Sequence, residues 1–181
     1  MDESLKITIA TISGFVIAFF AEPVKIYFQR RDRREGIRKA LYQELYFNYE
    51  SLRRFVDGRG ETITRDEFHR FVFNLKWLSH TEAYQHYMTH DIDLFYQLKE
   101  SMVINWLYGQ LISLIETARA RFDAKDDPNI TLNIVKNYLQ AYKENAGNGK
   151  FDRRFLVKCI GIEKLKLVLE KDFIEPEQKS N

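Results

Sequence analysis

The chain has 181 residues, 28 Lys and Arg against 26 Asp and Glu, a net charge of +2, 14% aromatic residues and one cysteine. That length suits one domain with an appendage, and a single cysteine excludes a disulfide scaffold. The small net charge gives no bulk drive toward nucleic acid, and the lack of repeats or low-complexity tracts excludes solenoid and collagen-like architectures.

The first element reads as a membrane anchor, in preference to a cleaved signal peptide, a buried core helix or an in-plane amphipathic helix. Leu5 to Ala21 is apolar on every side apart from Lys6 and small hydroxyls, and as a helix it rises roughly 25 Å. Continuing through Val24, Ile26 and Tyr27 to Phe28 brings the rise to about 36 Å, enough to cross a ~30 Å hydrocarbon core with tilt. Lys6 and Lys25 lie where long side chains snorkel, and Pro23 predicts a kink or break near the end of the span. Asp2 and Glu3 precede the run and basic residues follow it, the reverse of a cleaved signal peptide. The basic collar is Lys25, Arg30, Arg31, Arg33, Arg34, Arg38 and Lys39. By the positive-inside rule it places the N-terminus outside and residues 30–181 in the cytoplasm, in a single pass through an inner membrane. Arg30, Arg31, Arg33 and Arg34 are the expected contacts to anionic lipid. Within the span, Ala10, Gly14 and Ala18 recur every four residues, a small-xxx-small ridge that predicts helix packing and a homo-oligomer.

The sequence then predicts an all-α fold: a transmembrane anchor over 1–29, a cytoplasmic helical bundle over 30–174 and a disordered tail over 175–181. Ile37, Leu41, Leu45, Asn48, Leu52 and Phe55 form an apolar stripe with one polar member, beside a second face of Tyr42, Tyr46 and Tyr49. Glycines at 58 and 60 end that helix. Thr64 and Glu67 make a capping box that opens a helix with Phe68, Phe71, Val72 and Leu75 inward. Ser79 and Glu82 repeat the signal before a short helix carrying Ala83, Tyr84, Tyr87 and Met88. After a joint at Thr89-His90-Asp91, one long helix over Ile92–Phe122 is expected, with Phe95, Leu98, Met102, Asn105, Leu111, Ile115, Ala118 and Phe122 inward. Asn48 and Asn105 each fall in an apolar seam, and a buried amide needs a partner, so they are expected to bond to one another. Pro128 begins a helix faced by Ile130, Ile134, Val135, Tyr138 and Leu139. Residues 151–171 read as one or two helices interrupted at Gly161.

The anchor, the collar, the helix Ala40-Leu41-Tyr42-Gln43-Glu44-Leu45-x-x-Asn48-x-x-x-Leu52 and the segment Trp77-Leu78-x-x-x-Glu82-Ala83-Tyr84 together resemble a loose group of small bacterial membrane-anchored helical proteins. The resemblance covers residues 5–120 and implies the architecture and a bacterial source, with no established activity.

Chemistry-bearing residues are sparse. His86 and His90, four apart, would share a helix face and are weak metal candidates, with His80, Glu82, Asp91 or Asp93 nearby, although the joint at residue 90 threatens the spacing. His90-Asp91, with His69 and with Asp123, Asp126 or Asp127, loosely resembles metal-dependent HD phosphohydrolases, but the separations are short. Gly147-Asn148-Gly149-Lys150 lacks the spacing, the hydroxyl and the strand of a phosphate loop. Cys159 has no evident base, and Trp77 and Trp106 read as core or interface aromatics. No cofactor is expected. The reading is a membrane-tethered cytoplasmic interaction module that binds itself or another protein, with Tyr42, Tyr46 and Tyr49 as a contact surface. A membrane-anchored metal-dependent hydrolase and a membrane-acting toxin or phage-defence effector are the alternatives.

Overall fold

The computed structural model describes the backbone of residues 3–57 and 62–169, and the side chains of these residues except 3–20 and 76–78. Among the described residues there are eight helices and no strand. They are α1 (Glu3–Val56), α2 (Arg65–Leu78), α3 (Glu82–His90), α4 (Ile92–Tyr96), α5 (Ser101–Asp123), α6 (Pro128–Gly147), α7 (Arg153–Ile160) and α8 (Ile162–Leu169). The expected all-α fold is observed. The chain divides into two compact units, Met1–Ile37 and Arg38–Asn181, and α1 contributes to both.

Of the kink or break expected at Pro23, the break is not observed: α1 runs through it as one helix. Among the described residues no helix is long and apolar enough to cross a membrane. The side chains of the apolar run up to Phe20, including Ala10, Gly14 and Ala18, lie outside the described residues.

In the second unit the final turns of α1 supply the centre of the core. Leu41, Leu45, Asn48, Leu52 and Phe55 are buried, as the three-four spacing predicts. Their neighbours come from four helices. Phe55 stacks on Phe71 of α2 at 4.0 Å, Tyr49 on Tyr142 of α6 at 4.8 Å, and Tyr42 meets Phe155 of α7 edge-on at 5.7 Å. Tyr108 of α5 reaches Glu44. Tyr42 and Tyr49 are thus core residues, not a contact face, and Tyr46 alone of the three stays half-exposed.

α2 opens as predicted: the Thr64 side chain accepts from the Glu67 N–H while Glu67 accepts from the Thr64 N–H at 2.8 Å. Phe68, Phe71 and Leu75 are buried. α5 and α6, joined by residues 124–127, pack along one another, and α2 lies on α5. Pro128 stands in the first turn of α6, capped by Asp127, whose carboxylate accepts from the Asn129 N–H at 3.0 Å. Gly161, at φ 87°, takes a positive-φ conformation open to glycine and separates α7 from α8, where the interruption was expected. Residues 175–181, read as a tail, lie outside the described residues.

The long helix expected over Ile92–Phe122 is two helices. α4 ends at Tyr96, and two tight turns follow, Leu98 N–H to the Phe95 carbonyl and Ser101 N–H to the Leu98 carbonyl. The break resets the helical phase. Met102 is 80% exposed instead of inward, Trp106 is exposed, and Ile104, Leu107, Tyr108, Leu111, Leu114 and Ala118 form the true inner face of α5.

Candidate functional site

Polar side chains concentrate where α1 meets the elements around it, in three clusters. The first pins α3. Glu44 accepts from the Ala83 N–H at 2.8 Å, the Tyr84 N–H at 3.2 Å and the Tyr108 hydroxyl at 2.6 Å. A carboxylate from α1 therefore satisfies two of the free amides at the α3 N-terminus, where the helix dipole favours negative charge. This replaces the predicted box at Ser79 and Glu82. The Ser79 hydroxyl donates back to the Leu75 carbonyl at 2.6 Å and closes α2, and Thr81 at the cap position makes no capping bond.

Asn48 and Asn105 do not bond to each other, which corrects that expectation. The Asn48 amide donates to the His80 carbonyl at 2.7 Å and its oxygen accepts from the His80 N–H at 2.6 Å, a reciprocal pair with backbone. Asn105 accepts from the Tyr84 hydroxyl. Tyr84 also stacks on Tyr108 at 4.2 Å, so both asparagines help hold α3 and the strand of chain that leads into it.

The second cluster gathers around Arg38. Its guanidinium donates to buried Glu100, at the break before α5, and to Asp152 at 3.1 Å. It also lies 4.3 Å over the Phe155 ring. The Tyr42 hydroxyl donates to Glu100 at 2.7 Å and accepts from the Asp152 N–H at 3.2 Å. Burial, reinforced by the Glu100 charge, pushes the Tyr42 phenol far up, so it acts as a donor and not as an acid. Burial raises the Asp152 carboxyl, but the Phe155 N–H and Arg38 outweigh it and hold that group below its ordinary range. Arg38, read as part of the lipid-facing collar, is thus an internal tie.

The third feature is a groove of about 440 Å³ between α1 and the α7–α8 pair, lined by Tyr46, Phe47, Glu50, Arg54, Cys159 and Lys164 among others. The Lys164 ammonium lies 5.6 Å over the Tyr46 ring. Hydrogen bonds from Arg53, against a smaller desolvation, hold the Glu50 carboxyl below its ordinary range. Burial pushes the Cys159 thiol up to about 11, which keeps it protonated and unreactive at neutral pH.

The residues with catalytic potential are dispersed. Among the described residues no group of three or more His, Cys, Asp or Glu side chains could hold a metal. His69 packs on Phe122 at 5.1 Å, Asp126 pairs with Arg121 at 3.2 Å and Asp127 caps α6. His86 and His90 do share α3, and the joint falls one residue later, at Asp91. The Trp77 side chain lies outside the described residues.

In the first unit, residues 21–33 are exposed without interruption, more than three full turns of helix. Arg30, Arg31 and Arg33 are among them and Arg34 is half-buried, while Arg31 pairs with Glu35 at 3.5 Å. Val24, Ile26, Tyr27 and Phe28 are 52%, 44%, 59% and 52% exposed. Compared with known proteins, the chain matches no family model, no curated protein and no solved structure.

Proposed function

We propose that this protein is a membrane-tethered helical interaction module. A single N-terminal span, N-terminus outside, holds the 38–181 unit at the cytoplasmic face of an inner membrane, where it binds a second copy or another protein. The observation that supports this most is the exposure of Val24, Ile26, Tyr27 and Phe28. Four large apolar side chains within five residues, uncovered around the whole helix, continue the apolar sequence from Leu5 to Ala21. Each of the four is at least 44% exposed, and the boundary between acyl chains and headgroups is the medium that suits an aromatic pair beside a basic collar. Arg30, Arg31, Arg33 and Arg34 meet anionic headgroups in this reading, each contributing about 1 kcal/mol near the surface. Self-association is carried by the Ala10, Gly14 and Ala18 ridge.

The test is fractionation of the intact chain. It is expected to stay with membranes through alkaline carbonate washing and to need detergent for release, while a chain lacking residues 1–29 is released. Protease added to spheroplasts should leave residues 30–181 intact. Recovery of the full chain in the soluble fraction without detergent would overturn the tether. Cross-linking in membranes should capture a dimer that Gly14→Leu weakens, and a dimer unaffected by that substitution would remove the ridge.

A further inference from the structure

We propose that His86 and His90 form a two-imidazole chelate for a divalent cation of the zinc class on the exposed face of α3. Both histidines lie in the last turns of one continuous helix, and their rings stack with centroids 4.6 Å apart and planes 23° from parallel. Four-residue spacing puts both rings on one face, the arrangement in which a single ion can take a nitrogen from each.

The hydrogen bonding decides which nitrogen is free. His90 Nδ1 lies 3.0 Å from the His86 carbonyl oxygen. A carbonyl only accepts, so Nδ1 carries the proton, and the Nε2 lone pair is left unprotonated on the neutral ring. Metal-ligating histidines are oriented in this way, by donating their second ring N–H to a carbonyl or carboxylate. Position adds to it: His90 is the final residue of α3, at the end of the helix where the dipole favours a cation. Both side chains are exposed, so an ion has open access and solvent supplies its remaining ligands. Imidazole nitrogens select zinc, copper or nickel over magnesium or calcium, which take oxygen ligands.

The other histidines are differently placed. His80 packs on Phe47 at 4.5 Å with Glu82 at 3.4 Å from its Nδ1, and His69 packs on Phe122.

The experiment titrates Zn²⁺ into the full-length chain, purified in detergent without an affinity histidine tag. Binding is read by calorimetry and by the ring signals of the four histidines in NMR. One ion per chain is expected, perturbing the His86 and His90 rings, and weakening as pH falls because protons compete for the same lone pairs. His86→Gln and His90→Gln should each lower affinity by at least about tenfold, and His69→Gln should leave it unchanged. The two substituted side chains are exposed, and circular dichroism of each variant verifies that the helices persist. The proposal is overturned if millimolar zinc perturbs neither ring, or if the calorimetric signal survives in the double variant.

Discussion

α3 and α6 are both regular helices of the second unit, but they are held by opposite means. α6 buries Leu132, Val135, Tyr138, Leu139 and Tyr142 against its neighbours, whereas α3 buries no residue at all. α3 is attached by Glu44 at its N-terminus, by the Asn48–His80 pair just before it and by the Tyr84 hydroxyl and ring. Apolar burial is non-directional and scales with area, so α6 belongs to the cooperative core. Hydrogen bonds contribute about 0.5–1.5 kcal/mol net each, so α3 is expected to open locally while the rest stays folded. The difference assigns one helix to stability and leaves the other, with its histidine pair, free to respond to its surroundings.

The largest effect should come from the core side of this contrast. Leu132→Ala removes a fully buried side chain of α6 and is expected to cost about 2–5 kcal/mol, lowering the denaturant midpoint of the whole unit. If it unfolds α6 alone, the assignment of α6 to the core is wrong.

Glu44→Gln is the matching test on α3. It keeps the side-chain length but removes the charge that meets two helix-terminal amides, for an expected loss of about 1–2 kcal/mol. Hydrogen exchange of residues 82–90 should accelerate while that of 132–146 is unchanged. Equal acceleration in both helices would show that α3 is no separate unit.

The smallest effect concerns α7, which combines both modes. It buries Leu156 and Ile160 and is capped by Asp152, whose carboxylate accepts from the Phe155 N–H at 3.1 Å. Because the folded-state pKa of Asp152 lies below its ordinary 3.8, its contribution is fully present above that value and is lost as pH falls through the lower, folded value. The wild-type chain should therefore lose stability over that acid window, and Asp152→Asn should flatten the loss. Asp152 is nearly half-exposed, so solvent screening keeps the change modest. An identical acid limb in the variant would assign the loss to other carboxylates.

Much of this molecule could be read from local pattern. The Thr64–Glu67 box, Pro128 at the start of α6, Gly161 between α7 and α8, and the stripe from Leu41 to Phe55 all report physics confined to a few adjacent residues. The break before α5 could not be read in that way. It is held by Glu100, whose partners Arg38 and Tyr42 lie 62 and 58 residues away, and no neighbouring residue announces them. Met102, whose spacing predicts an inward position, is exposed, and Trp106, read as a core or interface aromatic, is exposed as well. Asn48 was recognisable as a buried amide in need of a partner. Its partner is the backbone of His80, and a backbone group has no residue-type signature.

What the sequence determined by itself was the helical class, most helix ends, the first-helix core stripe and the contrast between an apolar N-terminal run and a mixed remainder. Those depend on propensity, capping and periodicity, which act within a turn or two of helix. Only the tertiary structure decided that Glu44 caps α3 and that Arg38 ties α4–α5 to α7. Each of these depends on distances of a few ångströms, between residues far apart in the chain or between side chain and backbone, and side-chain identity alone does not encode such distances.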